Sequence, residues 1–299
     1  MANDVASLVV QAPAKVNLYL RIVGKRSDGY HDLDTVMQKL DLSDTVTLSR
    51  TDEPGIRLSC SGADLPEDDS NLVWQAADAF LTRTGLAGLC GLSIILEKRI
   101  PVAAGLGGGS SDAASVLNGL NTLLETGLSE DTLLALARPL GADVPFFVVA
   151  EPAVRAKGIG DRMQSWPGLA GCSLLLVNPG FSVSTAWVYK NFTLTRVDKD
   201  SKLSDSRKNE TDTAGYCPLF NDLETVTIAK YPELEGIKQQ MLDCGASGVL
   251  MSGSGPTVFG VFPDQPGSNE NAAADCARSF AEKYDQGVIV TRPAVESYS

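Results

Sequence analysis

Between residues 14 and 23 apolar and polar side chains alternate. Val16, Leu18, Leu20 and Ile22 fall on one side, Lys15, Asn17, Tyr19 and Arg21 on the other. A period of two sends successive side chains to opposite faces of an extended chain, so the segment predicts a half-buried strand. Residues 44–50 and 92–98 read as strands too. The period then lengthens. Leu72, Val73, Ala76, Ala77, Phe80 and Leu81 recur at helical spacing after Asn71, and Gly85 marks a stop. A second helix is expected after Ser110 and Ser111. A third is expected after Ser129, a good N-cap with Glu130 and Asp131 in the first turn.

Lys157-Gly-Ile-Gly160 and Trp166-Pro-Gly168 interrupt these patterns, which places a domain boundary there and divides the chain into 1–165 and 166–299. Beyond it the pattern predicts a strand (172–178), a helix (184–192), a long polar loop and two helices (221–230 and 233–244). Two strands (247–252 and 257–262), a helix (270–284) and a last strand (287–292) follow. Paired strands between helical crossovers suggest a split β-α-β sandwich. Residues 193–216, rich in Thr, Asp, Ser and Lys, are expected to form an exposed insertion. The fold class is therefore α+β, in two domains.

Composition narrows the function. The chain has 299 residues and a net charge of −12. Polynucleotide binding needs a surplus of Lys and Arg, so no nucleic-acid partner is expected, whereas a local site for a small anion remains open. The longest apolar runs, such as Leu174 to Val177, are far too short to span a bilayer. Met1 to Leu8 shows no secretory pattern, so a cytoplasmic protein is expected. The six cysteines are scattered and the chain has 1 histidine, which excludes a two-histidine zinc site. Free thiols in a reducing compartment fit better.

The most informative segment is Pro101-Val-Ala-Ala-Gly-Leu-Gly-Gly-Gly-Ser-Ser-Asp-Ala-Ala114, between a predicted strand and a predicted helix. Glycines let the backbone approach a ligand closely, and the first amides of a helix are unpaired and partly positive. Together these features make an anion site, most naturally for phosphates. A flexible loop with Ser110 merely capping the helix explains less. No Lys follows the glycines as in a Walker loop, and the Gly105-x-Gly107-x-Gly109 spacing differs from the Rossmann fingerprint.

This loop resembles the second motif of the GHMP kinase superfamily. Ala12-Pro-Ala-Lys-Val-Asn-Leu18 and Met251-Ser-Gly-Ser-Gly-Pro-Thr257 are similar to two further motifs of that superfamily. Gly29-Tyr-His31, Gly141-Ala-Asp-Val-Pro-Phe-Phe147, Asn178-Pro-Gly180 and Asn221-Asp-Leu-Glu224 resemble the branch that phosphorylates a cytidine diphosphate-linked methylerythritol in non-mevalonate isoprenoid synthesis. The match runs in order from about Ala12 to Phe262. Two departures stand out: the 193–216 stretch is longer than the family core requires, and Gly160-Asp-Arg162 stands where Gly-Glu is expected.

The resemblance implies an N-terminal half like domain 2 of ribosomal protein S5, a ferredoxin-like C-terminal half and an active site between them. It implies ATP and Mg²⁺ as cofactors, a small-molecule partner, and a monomer or weak homodimer. On spacing alone Asp143 reads as a cap for the segment starting at Pro145; the resemblance makes it the catalytic aspartate, with Lys15 beside it. On spacing alone Lys15 is equally a solvated strand lysine, and Asn17 a turn or edge-strand amide; the resemblance gives Asn17 to the reacting polyol. It gives Tyr30 and His31 to the cytosine, with Thr185 and Tyr189 as further substrate contacts; Trp187 is the weaker stacking candidate. ATP would meet Asn71, Lys98, Pro101, Val102, Ala103, Ala104, Gly105, Leu106, Gly107, Gly108, Gly109, Ser110 and Ser111. Lys98 could equally be an exposed strand-end residue, and Asp112 a helix-favouring or metal-pairing carboxylate. The Ser252-Gly-Ser254-Gly turn is either a tight hairpin or a flap over the cleft. The alternatives are a mevalonate, homoserine or sugar kinase of the same superfamily, an ATP-dependent diphosphomevalonate decarboxylase, and a nucleotide-sensing protein without turnover.

Overall fold

The computed structural model describes residues 7–27, 31–160, 162–193, 219–264 and 272–295. The first half contains β1 (Ser7–Lys25), β2 (His31–Thr51), β3 (Gly55–Ser61), α1 (Leu72–Thr84), β4 (Gly91–Glu97) and α2 (Gly108–Leu123). It continues with α3 (Glu130–Ala137), α4 (Val144–Val148), β5 (Ala153–Gly158) and β6 (Arg162–Ser165). The second half contains β7 (Cys172–Val177), α5 (Thr185–Asn191), β8 (Phe220–Asn221), α6 (Glu224–Lys230) and α7 (Glu233–Asp243). It ends with β9 (Gly248–Met251), β10 (Val258–Pro263), α8 (Ala272–Tyr284) and β11 (Val288–Thr291).

The first sheet runs in the order β3-β4-β2-β1-β8, with β5 and β6 attached to the other half of β2. β1 and β2 form one long antiparallel ribbon whose register breaks between Pro13 and Lys15 and again between Asn17 and Tyr19. Bulges re-aim side chains, and Lys15 and Asn17 sit between these two. The predicted half-buried strand is corrected here: residues 12–20 are buried on both faces, with Lys15 and Asn17 each only 3% exposed. Their face is covered by the glycine loop and the second half of the chain rather than by water.

α2 packs on this sheet closely enough that a Cβ on Gly119 would lie 2.5 Å from Leu48. Ala113, Ala114, Val116, Leu117 and Leu120 join the first core with Val46, Leu48, Leu92 and Ile94. α1 starts and stops as its sequence predicts. The Asn71 side chain accepts from the Val73 amide, and Gly85 closes the helix in the left-handed region. Ser129 likewise caps α3.

The second sheet has the order β11-β7-β10-β9, antiparallel throughout, as in a ferredoxin-like sandwich. β7 reads as an unbroken apolar run because both of its faces are covered. Leu175 and Val177 meet Met241 and Phe280 on the helical side. Leu174 and Leu176 share a third core with Val16, Leu18 and Leu40 of the first half. The expected helix from 221 begins later, at Glu224. Phe220 and Asn221 instead extend the first sheet, pairing parallel with Tyr19 and Leu20 of β1. The 194–216 part of the polar stretch lies outside the described residues.

Candidate active site

A cleft of about 600 Å³ opens where the two halves meet. Of the residues singled out from sequence, Lys15, Asn17, Asn71, Lys98, Pro101 to Ser110, Asp143, Thr185 and Tyr189 all line it. Tyr30 lies outside the described residues. The cleft draws on segments more than 200 residues apart, brought together by the shared core and by β8.

The glycine loop forms one wall. α2 begins at Gly108, with Gly107 at the N-cap at φ +73°, earlier than the serines suggest. Ser110 and Ser111 therefore sit inside the first turn and do not cap it. A Cβ on Gly107 would lie 2.9 Å from the Phe147 ring and 3.0 Å from the Lys15 side chain. A Cβ on Gly105 would lie 2.4 Å from the Ser252 carbonyl oxygen. Glycine is required at both positions because other chains pass close by. The loop is also bonded to its neighbours: the Lys15 amide donates to the Leu106 carbonyl at 2.9 Å, and the Ser252 hydroxyl to the Gly105 carbonyl at 2.9 Å.

Lys15 and Asp143 meet beneath this wall. Their charged atoms are 3.4 Å apart, and the Lys15 ammonium also donates to Asn17 Oδ1 at 2.5 Å. Asn17 donates in turn to the Thr35 hydroxyl at 3.0 Å, and Thr35 to the Tyr19 carbonyl. Asp143 stands at the N-cap of α4, yet its side chain makes no capping bond. Its carboxylate faces Lys15 and the cleft, and is 39% exposed. A charged pair with one buried and one accessible member can hold an incoming hydroxyl and take up its proton.

Lys98 is not the exposed strand-end lysine that its position allows. It is buried, and its ammonium is gripped by Asp44 and Asp112, the latter at 2.6 Å. Asp44 Oδ1 also accepts from the amides of Arg99 and Ile100, which fixes the entry to the glycine loop. Two carboxylates therefore face one ammonium. Burial pushes the Asp112 carboxyl up to about 7, partly offset by Lys98 and reinforced by Asp44. Asp112 is thus engaged by Lys98, 2.6 Å away, just past the first turn of α2. Asp112 Oδ1 and the Ser111 hydroxyl are buried with no hydrogen-bond partner among the described residues. Ser111 does not itself line the cleft. Asn71 serves first as the α1 cap, and its Nδ2 donates to the Pro66 carbonyl at 2.7 Å.

His31 does not itself line the cleft but stacks on Tyr189, which does, ring centres 5.3 Å apart. Burial, then the nearby Lys25, holds the His31 pKa below its ordinary value. Burial and the Asp143 charge raise that of Tyr189. Trp187 lies away from the cleft, under the Lys230 ammonium. The Thr185 and Ser254 hydroxyls share a hydrogen bond of 2.8 Å, so the Ser252–Gly255 turn reaches the cleft from the second half.

Sequence inspection named Asn178, Asn221 and Glu224 without a task for them; the structure supplies one. Asn221 Nδ2 donates to the carbonyls of Met251 and Gly253, both at 2.8 Å. Glu224 accepts from the Met251 amide and from Lys238. Asn178 donates to the Thr257 hydroxyl. All three brace the turn that touches the glycine loop. Asp44 and Thr35 were missed, because their partners lie 54 and 18 residues away and no local pattern marks such pairs.

Comparison with known proteins gives the family and the fold. Residues 71–151 match the model of the GHMP kinases N terminal domain and residues 208–286 that of the GHMP kinases C terminal. A 4-diphosphocytidyl-2-C-methyl-D-erythritol kinase from Citrifermentans bemidjiense is 46% identical over 91% of this chain and 95% of its own length. One from Syntrophotalea carbinolica is 49% identical over 88% and 92%. A crystal structure of 4-(cytidine 5'-diphospho)-2C-methyl-D-erythritol kinase superposes with a TM-score of 0.80 at 33% identity, covering 96% of this chain and 99% of that one. Likeness of this extent, running through both halves, settles the ancestry: the chain belongs to the GHMP kinases and, within them, to the family of 4-diphosphocytidyl-2-C-methyl-D-erythritol kinases.

Proposed function

We propose that the chain transfers the γ-phosphoryl group of ATP to the 2-hydroxyl of 4-diphosphocytidyl-2-C-methyl-D-erythritol. The observation that carries this reading is the Lys15–Asp143 pair, 3.4 Å apart, at the foot of the glycine-walled helix start and in the same cleft as Tyr189, on which His31 stacks. Residues 1–165 supply the nucleotide side and 166–299 much of the substrate side. The acceptor's cytosine stacks with His31 and Tyr189, and its polyol lies against Asn17 and Thr185. The triphosphate rests on the first amides of α2, held in place by a loop whose Gly105, Gly107 and Gly108 pack directly against neighbouring segments. The unpartnered Ser111 hydroxyl fits a polar ligand at that helix start. Among the described residues no group of three or more His, Cys, Asp or Glu could hold a metal ion. This fits Mg²⁺ entering on the phosphates, where it would neutralise their charge.

The acceptor oxygen attacks the γ-phosphorus, the bond from that phosphorus to the β-phosphate oxygen breaks, and ADP leaves. Asp143 orients the hydroxyl and takes its proton; Lys15, paired with it at 3.4 Å, steadies the developing negative oxygen. The enzyme works as a monomer or weak homodimer in the cytoplasm, and no helix among the described residues is long and apolar enough to cross a membrane. A coupled assay for ADP release, run with the cytidylyl methylerythritol, mevalonate, homoserine and galactose, tests the substrate; stimulation by mevalonate alone would overturn it. Asp143→Ala is expected to lower kcat by about 10²–10⁴. Near-normal turnover in that variant would remove Asp143 from the chemistry.

A further inference from the structure

Lys39 has no part in the chemistry above, yet it is among the most deeply buried side chains of the molecule, 1% exposed. It stands directly opposite Lys15 in the β1–β2 ribbon. Directly paired residues of neighbouring strands send their side chains to the same face of the sheet. The short helix α4, packed on α2 and α3, has one of these two lysines at each end. Lys15 faces Asp143, at the start of α4. Lys39 donates to the carbonyl oxygen of Val149, the C-cap of α4, at 2.5 Å. Its ammonium also lies 5.3 Å from the ring centre of Phe146, inside the helix. The Lys39 backbone amide holds the exit from α4 as well, donating to the Pro152 carbonyl at 2.8 Å.

Two like charges side by side in a buried sheet are unfavourable unless each has its own partner. Here Lys15 has the Asp143 carboxylate at the start of α4, and Lys39 has the Val149 carbonyl just past its last turn, with the Glu151 charge nearby. An element only about 7–8 Å long transmits any tilt at its C-terminus to its first residue. We infer that Lys39 is a positioning residue for the phosphoryl transfer: by anchoring the C-terminal end of α4 it sets where Asp143 stands relative to Lys15. The inference rests on the role proposed for Asp143.

The two claims are separable by a double-mutant cycle on the purified full-length enzyme: wild type, Lys39→Met, Asp143→Ala and the double variant. Methionine fills the same volume and removes a buried charge whose desolvation already presses the Lys39 amine down to about 8, so the variant is expected to fold. Thermal unfolding checks this, and Lys39→Gln replaces it in the cycle should it unfold. In the wild-type background kcat falls roughly 10- to 100-fold, the scale of a small misplacement of a reacting group, while KM for both substrates stays within about twofold. In the Asp143→Ala background the same substitution has no further effect on kcat. Unchanged kcat in Lys39→Met, or an equal fall in both backgrounds, overturns the inference while leaving Asp143 in place. Near-normal kcat in Asp143→Ala overturns the role of Asp143 and this inference with it.

Discussion

The Lys98 cluster shows how much one buried residue can alter. Asp112 shares the Lys98 ammonium with Asp44, and burial raises its carboxyl from 3.8 to about 7. Between these two values the folded chain keeps a proton that the unfolded chain has released. Stability from this group is therefore fully present below about pH 4 and is lost as pH rises through about 7. Asp112→Asn removes that dependence. In thermal melts at a series of pH values, the variant should gain on the wild type between about pH 4 and 7, and a constant gap would refute the assignment. Lys15 and Asp143 were singled out only through the family resemblance of their motifs, since spacing alone makes Asp143 a cap and Lys15 a strand lysine; the structure brings the two within 3.4 Å. The partners of Lys98 were not legible. Asp44 reads from sequence as one more polar residue of a strand, and only the fold brings it under the glycine loop.

At the scale of elements, the glycine loop was legible in kind and misjudged in detail. Its serines look like caps, yet the helix starts ahead of them at Gly108, because the left-handed Gly107 can take the cap position where a residue with a Cβ would collide with Phe147 and Lys15. Gly107→Ala should retain the fold but bind ATP more weakly by about tenfold, since the free loop relaxes out of a left-handed conformation costing roughly 1–2 kcal/mol and must be returned to it to present the α2 amides. Calorimetric titration with ATP checks this; unchanged affinity would show that the loop tolerates a side chain there. α4 was legible only as a segment starting at Pro145 with Asp143 before it, because five residues give no readable period. β3, an edge strand with Leu58 alone buried, and β5, which runs into the Lys157–Gly160 break, were passed over too. The long helices and β7 were clear because their apolar patterns are extended and unbroken.

Across the whole molecule, both halves contribute to one core beneath the cleft: Val16, Leu18 and Leu40 from one side, Leu174, Leu176 and Phe259 from the other. β8, though counted with the second half, hydrogen-bonds to β1, the strand that carries Lys15 and Asn17. No pattern in the sequence marks this crossing, because a two-residue strand has no periodicity and its partner lies some 200 positions earlier. Both jaws of the cleft are thus bolted to the same floor. A hinge opening would have to tear a buried apolar layer, so nucleotide entry and departure fall to the turns around the mouth. Small-angle X-ray scattering should accordingly give the same radius of gyration with and without saturating ATP and acceptor, and a contraction on binding would show that the floor flexes. A cleft of fixed width selects by shape already present in the empty protein. Its discrimination among polyols should therefore change with the side chains of the wall and be indifferent to mutations that merely loosen the outer loops.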